Sequence, residues 1–207
     1  MSPVIEDRLS LLDTLTLKNG SHQNTQTEYC IMEAVAFIAG EPWSDAPKCA
    51  CPVITRFMVN WNDSLPNDED RTRLLKPLIT KIVGTRSTPE VELARVMLCI
   101  DWFCREQIPA WFDLVPALHE HAKTLRAAKP IQDWKDFDAI ATTLRQARDD
   151  AYAAWAAAGA AAGAAAWDAA WDAAGAALKP TTEKLQASAA QLVERMIAIT
   201  DTKPVAG

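Results

Sequence analysis

Residues 152–178, YAAWAAAGAAAGAAAWDAAWDAAGAAL, are nearly all alanine, with Trp or Gly at every fourth position: Trp155, Gly159, Gly163, Trp167, Trp171 and Gly175. Alanine has the highest helix propensity of any residue, so the tract reads as helix. Four residues advance an α-helix by about 400°, and each step therefore turns the marks by about 40°. Trp155 and Trp171 fall about 160° apart, so the marks wind around the helix instead of lining one seam. That is no heptad and speaks against a long two-stranded coiled coil. A helix that is small all round suits a crowded position. Gly159 and Gly163 form a G-x-x-x-G that permits close crossing, while Trp155, Trp167 and Trp171 supply the apolar anchors that alanine lacks.

The helical pattern is expected to begin at Asp136, run to Leu178 and end at Lys179-Pro180. About 42 residues at 1.5 Å each span about 63 Å, longer than a compact domain of this chain's size. A self-associating helix or arm is therefore favoured over a bent helix folded on its own body. Low-complexity filler is the alternative, since propensity alone keeps such a tract helical. A membrane span is disfavoured: the uncharged run is short of about 20 residues, and Asp168 and Asp172 sit near its end.

The rest of the chain is also read as helical. A helix is expected from about Thr27 to Ala39, stopped by Gly40. Pro52 suits the first turn of the next one. Asp68, Glu69 and Asp70 open another that runs to Gly84, kinked or split at Pro77. Ser87 or Thr88 caps a helix with Pro89 at its first position, and one more helix is expected over Ala110–Ala127. The stretch AAKPIQDW is read as a hinge, and Leu185, Ala189, Leu192, Val193 and Met196 form the inward stripe of the last helix. Leu15 and Leu17 alternate before the turn signal Asn19-Gly20, which suggests a short N-terminal strand or extended arm. The expected fold is mainly α: a multi-helix bundle with one long alanine-rich helix. A compact body, 1–129, would be followed by 130–207, the long helix and its return helix, packed on the body or on another copy.

The formal net charge of −6 speaks against nucleic-acid binding, which needs a basic face. Glu6, Asp7, Arg8 and Asp13 interrupt any leader-like apolar run, and five cysteines suit a reducing compartment, so a cytoplasmic location is expected. No phosphate-cradling glycine loop, H-E-x-x-H or G-x-S-x-G occurs. No catalytic residue, metal ligand set or cofactor is assigned.

Two carboxylates stand alone on apolar segments: Glu33 in CIMEAVAFIAG and Asp101 in VMLCIDWFC. Each is either an ion-paired core residue, with Arg56, Arg73 or Arg95 as candidate partners of Glu33, or part of a site holding a metal or a catalytic proton. The loop GEPWSDAPKC, with Glu41, Trp43 and Asp45, is a candidate ligand or partner contact, because function concentrates on loops held by a rigid scaffold. In the alternative, Trp43 plugs the core and Ser44 or Asp45 caps a turn.

With CIMEAVAFIAGEPWSDAPKCACPVI and LPNDEDRTRLLKPLITKIVGTRS, the chain resembles a family of uncharacterised bacterial and phage proteins. That family shares a C-x-M-E-A-V-A-x-x-A-G-E-P-W-S-D segment, an L-L-K-P-L-I segment and an alanine-rich helix. The resemblance implies a phage or mobile-element accessory role and transfers no catalytic residues. The expectation is a non-enzymatic binding or assembly protein whose partner is itself or a host protein. The alternative is a small-ligand or metal-dependent enzyme with its site near Glu33, Asp101 and the 41–45 loop.

Overall fold

The computed structural model describes residues 4–23, 28–161 and 167–200, with side chains described outside residue 11 and residues 155–176. The fold is mainly α, a multi-helix architecture with no sheet among the described residues. Its helices group into two compact units, Met1–Val96 with Val193–Gly207, and Met97–Leu192. This grouping differs from the division at 129/130 that composition suggests.

The first unit is built around a short helix, α2 (Ile31–Ile38). Ile31, Met32, Glu33, Ala34, Val35, Ala36 and Ile38 are all buried, so α2 has almost no solvent face. It begins later than Thr27, because Cys30 and Glu33 form a capping box. The Glu33 N–H donates to Cys30 Sγ at 3.4 Å, and the Cys30 N–H donates to Glu33 Oε2 at 2.7 Å. Such a box satisfies two orphan amides and sets the first turn. Gly40 stops the helix at φ 72°, a left-handed conformation, and a Cβ there would meet Ile5 Cδ1 at 2.5 Å.

The N-terminal segment carries a short helix, α1 (Leu9–Thr14), which the sequence pattern does not announce. At six residues it is too short to be stable alone, so tertiary contacts must hold it. Just before it, Arg8 donates to the Phe37 carbonyl at 2.6 Å and lies over the Phe37 ring at 4.6 Å. The expected strand is an extended arm with a single parallel bridge, Leu17 to Tyr29.

Helix α3 (Pro52–Ser64) opens on Pro52 as expected, and α4 (Asp68–Leu75) opens on an Asn67 cap and three acids. Pro77 splits the following run into a 3₁₀ turn and α5 (Ile79–Ile82), before Gly84 at φ 76°. Both α3 and α5 pack on α2. Arg71 is buried and ties off the end of α3: its Nε donates to Asn62 O and its Nη2 to Leu65 O, each at 2.8 Å, and Nη1 pairs with Asp68.

Helix α6 (Pro89–Trp102) continues into a π-helical stretch, Phe103–Gln107, and then α7 (Ile108–Phe112). Pro109 accounts for the π stretch. A proline ring clashes with the carbonyl four residues back and offers it no N–H, and widening the ladder relieves both faults. The helix expected over Ala110–Ala127 is broken. Pro116 pushes Val115 to φ −121°, ψ 108°, and only α8 (His119–Ala127) resumes the pattern.

In the second unit Met97, Cys104, Leu125, Ile131 and Ile140 form a common core. Ile131 lies in the stretch expected to be a hinge, and its burial anchors that stretch instead. Helix α9 (Trp134–Ala161) follows, with Asp133 Oδ1 accepting from the Asp136 N–H at 3.0 Å.

The last helix, α10 (Trp167–Ala198), contains Pro180 in its interior, so Lys179-Pro180 does not end a helix. Lys179 and Pro180 are exposed, which lets water take the carbonyl that the proline leaves without an N–H. The stripe Leu185, Ala189, Leu192, Val193 and Met196 is buried, as its spacing predicts. The backbone is helical at Trp155, Gly159, Trp167 and Trp171. Gly163, and with it the continuity of a single helix from 136 to 178, lies outside the described residues, as does the side-chain packing of the whole tetrad.

Candidate functional site

Glu33 is 1% exposed, and its partner is none of the arginines that the sequence offers. Arg73 pairs with Asp70, Arg95 donates to main-chain carbonyls, and Arg56 faces a surface cleft. Glu33 Oε1 instead accepts from the His22 N–H at 2.6 Å. Its Oε2 meets His22 Nδ1 at 2.9 Å and accepts from the Cys30 N–H at 2.7 Å. A buried carboxylate that accepts from two amides and lies against an imidazole nitrogen is structurally satisfied.

Trp43 serves the same assembly. Its indole N–H donates to the His22 carbonyl at 2.8 Å, and its ring lies 4.8 Å from Tyr29, which in turn meets Phe37 edge-on at 5.7 Å. Trp43 thus takes the plug role, clamping the loop that carries His22. The Cys30 thiol beside Glu33 is no ready nucleophile, because burial pushes it up to about 12.

That proton has a consequence for stability. An unfolded Cys30 ionises near 9.0, whereas the folded thiol stays protonated to about 12. Across this window the unfolded chain holds fewer protons, so the contribution from Cys30 is intact below about pH 9 and is lost as pH rises toward 12. Urea unfolding at about pH 8 and about pH 10.5 is expected to show a drop that is about 2 kcal/mol smaller in Cys30→Ala. Equal drops in both proteins would refute this.

Asp101 belongs to the second unit and has its own partners. Its Oδ1 lies 3.1 Å from Arg105 Nη1, one helical turn on, and accepts from the Ile131 N–H at 2.8 Å. It fastens the 128–133 segment to α6. Glu33 and Asp101 are each consumed inside their own unit. Among the described residues, no three His, Cys, Asp or Glu side chains gather as a metal ligand set.

The chain matches no protein-family model, no curated protein and no solved structure.

A surface cleft of about 430 Å³ opens in the first unit, beside the loop that the sequence picks out. Asp45 lines it, together with Lys48, Thr55, Arg56 and Arg86. Glu41 and Ser44 shape the loop without lining the cleft. Glu41 Oε2 accepts from the Lys48 N–H at 2.5 Å, and Ser44 Oγ accepts from the Ala46 N–H at 3.0 Å. The floor is fixed by the turn after α5. The Cys51 N–H donates to Thr85 Oγ1 at 3.0 Å, and the Arg86 N–H donates to Cys49 O at 2.9 Å.

Sequence reasoning missed Lys48, Thr55 and Arg86, and weighed Arg56 only as a partner for Glu33. No spacing signal joins them, because α3 and the turn after α5 meet only in the fold.

Proposed function

We propose that this protein works by binding another protein, a second copy or a host factor, and not by catalysis. One observation carries the proposal: the outer face of α9. Trp134 and Tyr152 are 57% and 66% exposed and stand 18 positions apart, which is five full helical turns, so they share one face about 27 Å long. Asp138, Arg145 and Arg148 are exposed at intermediate positions of the same stripe. Ile140 and Ala147 are buried on the other side. Trp, Tyr and Arg dominate binding energy at protein interfaces.

Two further observations agree with it. Glu33 and Asp101 are spent on internal bonds, and burial lifts the Cys30 and Cys104 thiols to about 12 and about 11. Among the described residues no helix is long and apolar enough to cross a membrane. A protein-binding role accords with the phage or mobile-element accessory role that the resemblance implies.

The test compares the wild type with Trp134→Ala/Tyr152→Ala, by light scattering at tens of micromolar and by affinity purification from the native host. The expected result is either a dimer mass or a stoichiometric partner, lost in the double variant. A wild type that stays monomeric and recovers the same proteins as the variant would overturn the proposal.

A further inference from the structure

The 430 Å³ cleft has a lining that calls for an occupant of particular chemistry. Three cationic side chains, Lys48, Arg56 and Arg86, face one carboxylate, Asp45, in a chain whose formal net charge is −6. Lys48 and Arg56 have no ion-pair partner among the described residues, and Arg86 leans on Glu92 only at 3.3 Å. Cations brought together this way repel one another, and an anion between them relieves the repulsion. The first turn of α3 adds to the positive character, since Pro52 and Thr55 form part of the wall and Cys51 offers no side-chain cap.

The main chain around these groups is tied down by the Cys51–Thr85, Arg86–Cys49 and Lys48–Glu41 hydrogen bonds. A backbone fixed in this way lowers the cost of ordering the site around a ligand.

We infer that this cleft binds a small organic phosphate monoester. Two features select that class. The lining side chains carry three positive charges and one negative, with Glu92 offsetting part of the charge on Arg86, and this excess favours a phosphate monoester of about −1.5 to −2 over a single carboxylate. The volume lies in the range of small-molecule pockets, which run from about 300 to 1,000 Å³, and exceeds what a bare phosphate fills. Val59 and the proline-rich edge of the loop give the organic part apolar contact, and Asp45 is placed to accept from a hydroxyl on it. The inference is independent of the α9 face, which belongs to the other unit.

The test is a backbone-amide NMR titration of the full chain with inorganic phosphate, phenyl phosphate and acetate at matched ionic strength, repeated on Arg56→Gln and Lys48→Gln. Both side chains are exposed, so the variants are expected to fold as the wild type does. Saturable shifts confined to residues 45–56 and 84–87 are expected, with phenyl phosphate binding more tightly than inorganic phosphate. Each substitution should weaken binding about tenfold, the effect of one charge-assisted contact. Absence of saturation, or shifts indifferent to both substitutions, would overturn the site. Acetate binding as tightly as phosphate would overturn the ligand class.

Discussion

Arg95→Met is expected to destabilise the protein by about 3 kcal/mol or more, because it leaves buried acceptors without donors. Arg95 is 2% exposed, and its guanidinium donates only to main-chain carbonyls: to Thr85 O at 2.6 Å, and to Met196 O and Ile199 O at 2.8 Å each. Two of these acceptors close the end of α10, where unpaired carbonyls concentrate negative charge. Methionine preserves the apolar stem and removes every donor. Lysine keeps the charge but lacks the planar fork, so Arg95→Lys should recover only part of the loss. Urea unfolding measures the size, and amide exchange at Ile199 should quicken in both variants. A loss below about 1 kcal/mol for Arg95→Met, within the usual range of a single ordinary hydrogen bond, would show that the cap contributes little.

Glu33→Gln should cost about 2–4 kcal/mol, since it turns one acceptor in a ring of donors into another donor. Whichever way the amide is placed, its NH₂ meets the His22 N–H on one side or the Cys30 N–H and His22 Nδ1 on the other. The loop around His22 should loosen with it, because the Trp43 clamp on the His22 carbonyl depends on the loop's position. Thermal or urea unfolding gives the magnitude, and exchange at the His22 and Cys30 amides gives the location. This substitution also separates a structural role from an active-site role. Catalytic carboxylates are often held at a cost to stability, so their neutralisation is tolerated or even stabilising. A neutral or stabilising Glu33→Gln would return Glu33 to the list of site residues.

Local rules carried far where the cause was local. Pro52 at a helix start, the split at Pro77, the stop at Gly40 and the buried stripe from Leu185 to Met196 all follow from residue type and spacing, and all are present. Two misses were legible but unread. Cys30-x-x-Glu33 is a capping-box spacing that places the start of α2 at Ile31, and Pro116 inside an apolar pattern is a reason to break the helix. Pro180 misled for a different reason: its cost in a helix is finite, and an exposed position with strong helix formers on one side and a buried stripe on the other absorbs it.

The site was harder to read because its causes lie in the tertiary fold. Glu33 stands out in the sequence as a lone carboxylate on an apolar segment, but its partner is a loop histidine 11 residues earlier and not any arginine. The 41–45 loop was singled out as well, and Asp45 does line the cleft, yet of the cations opposite it only Lys48 is near in sequence, Arg56 coming from α3 and Arg86 from the turn after α5. Nothing in the spacing of Lys48, Arg56 and Arg86 announces that they meet.

The discontinuity of the first unit bears on how the chain is made. Thr85 and Arg95 are synthesised about a hundred residues before the carbonyls of Met196 and Ile199 that complete their network. The intervening unit, Met97–Leu192, is continuous and can condense as it leaves the ribosome. The cap that Arg95 places on the end of α10 therefore forms only after the final turns of that helix have been translated.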